Sequence, residues 1–98
     1  MNRKVVGSVT EEEKNAIQGL FERRNGLNEL AKILTKDNVE LYERLVKDLG
    51  ETGTKFQNWW DEMSTKYQWE SAENGSWEIN FQTNEIILVI KLLLSAKP

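Results

Sequence analysis

From the tenth residue onward the apolar positions fall at helical spacing: Ile17, Leu20, Phe21, Leu27, Leu30, Ala31 and Leu34 recur with charged residues between them. A stripe of this kind predicts an amphipathic helix over about 10–35, with one side that needs cover. Its start is marked twice. Thr10 with Glu13 has capping-box spacing, and Glu11, Glu12 and Glu13 put negative charge at the positive end of the helix dipole. Gly19 and Gly26 interrupt the stripe, each costing about 1 kcal/mol relative to alanine. Either they let another helix come close or they mark fraying.

A second helix is predicted over about 38–70, with Asp37 as its cap and Glu40 at the third position. Only a few residues then separate the helices, so they run antiparallel as a hairpin. Tyr42, Leu45, Val46, Leu49, Phe56, Trp59, Trp60, Met63 and Tyr67 supply its apolar positions, and Tyr42, Leu49, Phe56 and Met63 hold a seven-residue phase. The phase survives Gly50-Glu51-Thr52-Gly53-Thr54, which argues for one long helix. A kink or break at 50–53 is the alternative, because two closely spaced glycines weaken any helix.

After the turn dipeptide Asn74-Gly75 the period drops to two. Trp77, Ile79 and Phe81 alternate with Glu78, Asn80 and Gln82, which predicts a strand over about 76–82. A second strand follows over about 85–93, and a turn at Thr83-Asn84 would pair Phe81 with Ile86, Ile79 with Leu88 and Trp77 with Ile90. This strand is also apolar on its other face, at Ile87 and Val89, which suits the centre of a sheet. Lys4-Val5-Val6, in a short strand over 3–7, is the candidate for its second neighbour. The expected fold is α+β in a single domain: a long antiparallel helical hairpin followed by a β-hairpin, with a three-stranded antiparallel sheet if the N-terminal segment joins.

Composition narrows what such a fold can do. Ninety-eight residues, 39% hydrophobic and 30% charged, support one modest core. The 13 basic and 16 acidic residues are intermixed and give a net charge of −3, the opposite of the basic footprint that phosphate binding needs, so direct nucleic-acid binding is not expected. Arg23-Arg24 follows Glu22 and reads as a solvated helix face. Cysteine and histidine are absent. That removes disulfides, thiolate and imidazole metal ligands, the cysteine nucleophile and the commonest general base, and no cofactor is expected.

Carboxylate pairs are the remaining route to catalysis. Asp61 and Glu62 diverge as helix neighbours, and Glu70 with Glu73 reads as surface, so no enzyme is expected. Met1–Thr10 lacks a signal-peptide core, and the apolar run Ile86–Leu94 is broken by Lys91 and too short to span a bilayer. These features lead to an expectation of cytoplasmic residence without membrane contact.

Trp59, Trp60, Trp69 and Trp77, supported by Tyr67, Phe56 and Phe81, are the unusual feature, and the four tryptophans with Tyr67 are the candidate partner-binding residues. They either fill the junction between the second helix and the β-hairpin or line a groove for a peptide or a partner helix. Trp59 and Trp60 diverge by about 100° around the axis, so one of them borders the surface or packs on the sheet. The edge of the strand from Trp77 to Gln82 is a second opening for an extended peptide.

Phe21-Glu22-Arg23-Arg24-Asn25, the segment from Trp59-Trp60 through Lys66-Tyr67 to Trp69, and Gly75-Ser76-Trp77-Glu78-Ile79 together resemble a family of small bacterial proteins. These accompany the maturation of ribosomally made peptides carrying repeated cysteine-x-x-x units. The resemblance covers about Val5 to Leu88 and rests on aromatic and turn positions. It implies a non-catalytic accessory or adaptor protein that binds the precursor peptide or its radical-type maturase. Two other classes fit the same residues. One is a phage or mobile-element inhibitor that blocks a nuclease with acidic helical surface. The other is a self-associating structural protein, in which two hairpins form a homodimeric four-helix bundle.

Overall fold

A computed structural model of the chain describes residues 2–34 and 37–91. The elements run β1 (Asn2–Ser8), α1 (Glu11–Ile33), α2 (Val39–Tyr67), β2 (Gly75–Asn80) and β3 (Glu85–Ile90). The fold is α+β, with a helical hairpin and a three-stranded antiparallel sheet in the order β1-β3-β2.

At the start of α1 the Thr10 hydroxyl accepts the Glu13 amide at 3.0 Å, while the Glu13 carboxylate accepts the Thr10 amide at 2.9 Å. The capping box is therefore complete in both directions. The N-cap position of α2 is Asn38 and not Asp37, one residue later than expected, and its side chain makes no cap hydrogen bond. The helix is continuous through Gly50 and Gly53, without the break that was the alternative. It ends at Tyr67, short of residue 70, because Gln68 turns left-handed at φ 51° and ψ 50°. A close helix contact does not explain Gly19 and Gly26, since a Cβ built on either meets nothing within 4 Å among the described residues. The seven-residue phase is real but displaced: Leu45, Thr52 and Trp59 are the buried line of α2, and Tyr42, half exposed, begins the line beside it.

β3 is the central strand, as its two apolar faces require. The β2–β3 register differs from expectation by two residues, pairing Ile79 with Ile86, Trp77 with Leu88 and Gly75 with Ile90. A shift of two keeps every side chain on its expected face. Its cause is Asn80, whose Oδ1 accepts the amides of Gln82 at 2.8 Å and Thr83 at 3.3 Å. The strand stops there, and Asn84, at φ 64°, closes the loop by donating its amide to Asn80 O at 2.8 Å. β3 ends at Ile90, short of the expected Lys91, and the expected extension over 92–93 lies outside the described residues. β1 runs from Asn2 to Ser8 and pairs with β3 around an irregularity between Val5 and Gly7. On the sheet face carrying Ile87 and Val89, Arg3 of β1 reaches across β3 to Glu78 of β2 at 2.8 Å.

The core gathers where the N-terminal end of α1 and the C-terminal end of α2 meet the sheet, around Val9, Ile17, Trp59, Trp69 and Ile86. The hairpin projects away from it. Val39, Leu41, Tyr42, Val46, Leu30 and Ile33 are large apolar side chains left exposed towards its far end. The radius of gyration, 16.8 Å, exceeds the roughly 13 Å of a compact chain this long. Arg23 and Arg24 are not a free basic face: Arg23 pairs with Asp48 at 3.6 Å, and the Arg24 guanidinium lies 4.3 Å from the Phe56 ring centroid. Among the described residues, no helix is long and apolar enough to cross a membrane.

Candidate functional site

The left-handed turn at Gln68 sends the chain off the helix axis and drops Trp69 onto the sheet. Trp69 becomes the hub of the aromatic group. Tyr67 stacks on it at 5.6 Å with an interplanar angle of 7°, and Trp60 and Trp77 meet it edge-on at 6.1 and 5.6 Å. Trp59 in turn meets Trp60 at 4.9 Å. All five candidate residues thus form one connected cluster, but they divide in role. Trp59 and Trp69 are buried, whereas Trp60, Tyr67 and Trp77 keep part of their surface in water.

Hydrogen bonds divide the group differently. Trp59 Nε1 donates to Glu13 O at 3.1 Å, which fastens the middle of α2 to the first turn of α1. Trp77 Nε1 donates to Glu70 O at 2.9 Å, holding its ring against the segment that follows α2. Trp69 Nε1 is buried without a hydrogen-bond partner. A Cβ on Gly7 would lie 2.7 Å from Trp69 Cδ1 and Nε1, so β1 passes over the indole at a distance only glycine permits.

Trp60 and Trp77 are walls of a surface cleft of about 330 Å³, completed by Phe56, Gln57, Asp61 and Ser76. One wall comes from α2 and the other from β2, an edge strand of the sheet. The cleft is therefore continuous with a strand edge. Gln57 Nε2 donates to Asp61 Oδ1 at 3.1 Å, which fixes a polar rim above the aromatic floor. The sequence marks Phe56 as an apolar aromatic position and Asp61 as a surface carboxylate, but not their meeting with Gln57 and Ser76, because only the packing of β2 beside α2 brings these four together.

Glu13 does more than cap. Its carboxylate also accepts Lys66 Nζ at 2.5 Å and the Tyr67 hydroxyl at 2.6 Å. Partial burial pushes its pKa upward, but the hydrogen bonds from Lys66, the Thr10 amide and Tyr67 outweigh this and hold it at about 2. The same contacts raise the pKa of Lys66 and of Tyr67, in each case chiefly through the hydrogen bond to Glu13.

Two of the other candidate acids have partners of their own. Asp61 bonds Gln57, and Glu70 pairs with Lys4 at 2.8 Å. Among the described residues, no group of three or more metal-ligating side chains comes together. No family model matches the chain, and neither does any curated protein or solved structure.

Proposed function

We propose that the chain is a non-catalytic binding protein that takes an extended peptide along the edge of β2 that no described strand occupies. An apolar side chain of that peptide seats between Trp60 and Trp77. The observation that carries this reading is the shared position of two features: Ser76 and Trp77 belong both to the edge strand and to the cleft. Strand addition supplies main-chain hydrogen bonds, and a neighbouring pocket selects a side chain. Tryptophan walls provide a large contact area at small entropic cost, as at binding hot spots.

Asp61 on the rim favours neutral or basic residues beside the seated side chain over acidic ones. The resemblance in the sequence names the peptide class to try, a cysteine-repeat precursor, and gives the role of an accessory to its maturation. Titrating such a peptide into the labelled protein should shift the backbone amides of β2 and the indole signals of Trp60 and Trp77. Ser76→Arg, placed at an exposed strand position so that it fills the cleft, and Trp60→Ala should each weaken binding by about tenfold or more while the circular dichroism of the fold persists. Shifts confined to other elements, or full affinity in the Ser76→Arg variant, would sink the reading.

A further inference from the structure

Along α2, Val39, Tyr42, Val46, Gly50 and Gly53 fall on one face, since their spacings of three and four residues return to the same side of the helix. Trp60 and Tyr67 continue that line towards the sheet, where they pack against the core. Over its first half no described residue covers it: Val39 is 58%, Tyr42 50% and Val46 51% exposed. Gly50 and Gly53 lie between the exposed and covered halves. A Cβ on either meets nothing within 4 Å among the described residues, so packing inside the chain does not explain them. Gly50 forms the floor of a shallow notch flanked by Val46 and Thr54.

We infer that this face pairs with the same face of a second copy of the chain, α2 against α2 in antiparallel register around Val46. The sequence is self-complementary about that residue. With Val46 on the twofold axis, Tyr42 of each copy stands opposite Gly50 of the other, and Val39 stands opposite Gly53. Large side chains therefore meet open backbone in both directions, as a symmetric interface requires. One pair of flanking charges agrees with this register. Glu43 and Lys47 flank the stripe on one side and form no ion pair within the chain among the described residues, and a twofold axis at Val46 brings Glu43 of each copy beside Lys47 of the other. Antiparallel pairing also carries each sheet beyond the far end of the other copy's hairpin. A stripe of this length buries an area at the low end of stable interfaces, and the dimer forms in a concentration-dependent equilibrium.

Gly50→Leu separates this interface from the fold. The added side chain enters open space in the monomer but fills the notch meant for Tyr42. Sedimentation equilibrium should show a monomer–dimer equilibrium for the natural chain. In Gly50→Leu and in Val46→Glu the dissociation constant should rise by about thirtyfold or more, with helical circular dichroism unchanged. Because the chain has no cysteine, Val46→Cys introduces a single thiol on the proposed axis. Mild oxidation should link it to its own copy, and adding Gly50→Leu should abolish the link. A strict monomer at the highest soluble concentration overturns the inference and leaves the face to a different partner. A dimer indifferent to Gly50→Leu, or one in which Val46→Cys does not cross-link, overturns it as well.

Discussion

Glu13 sits where three donors converge, and its protonation is costly because the Thr10 amide, Lys66 and Tyr67 all lose a charged acceptor. Its folded pKa of about 2 lies below the ordinary 4.5. A depressed carboxylate contributes stability that is fully present above the unfolded value and lost as pH falls through the folded one. The urea midpoint should accordingly decline between about pH 4.5 and pH 2. Glu13→Gln should flatten that decline, and Glu13→Ala should cost about 2 kcal/mol at neutral pH. A midpoint whose acid slope is the same with and without Glu13 would show that the clasp contributes little. Gly7 makes a second prediction at this scale. Gly7→Ala drives a methyl into the Trp69 ring, at 2.7 Å, and should cost about 1–3 kcal/mol in urea unfolding. The smaller ring of Trp69→Phe should recover part of that loss in the double variant.

The elements show which sequence signals carry structural information and which mislead. Local signals held: the Thr10–Glu13 box starts α1, the period-two run gives β2, and the two-faced apolar run becomes the central strand. Those signals work because each reflects backbone hydrogen bonding or burial within a few residues. The β-hairpin register was legible in its faces but not in its alignment. Alternation fixes parity only, and the choice between two in-phase registers was made by the Asn80 side chain bonding its own loop. Gly19 and Gly26 misled for the opposite reason, since a glycine in a helical pattern looks purposeful while these two face open space. Gly19→Ala should therefore raise stability, by up to about 1 kcal/mol, with no change in hydrodynamic radius. A loss of stability instead would reveal a contact made by that face.

Across the whole molecule, the candidate site was half legible: the aromatic residues could be named in advance, but not their division of labour. Neighbours in sequence, Trp59 and Trp60, end up bonding the α1 terminus and walling the cleft respectively, and only the placement of β2 beside α2 decides which does which. Acrylamide quenching tests that division. The residual fluorescence of a Trp60→Phe/Trp77→Phe double variant, which retains only Trp59 and Trp69, should be blue-shifted and resistant to quencher; ready quenching would mean the core opens. The sheet carries a different kind of information. Among the described residues β1 and β2 touch no strand except β3, and β3 is made last of the three. The helices need only near neighbours and can form while the chain is still being synthesised, whereas the first strand must be held in readiness through the synthesis of everything between. On the ribosome the hairpin is thus assembled piece by piece, and the sheet arrives all at once.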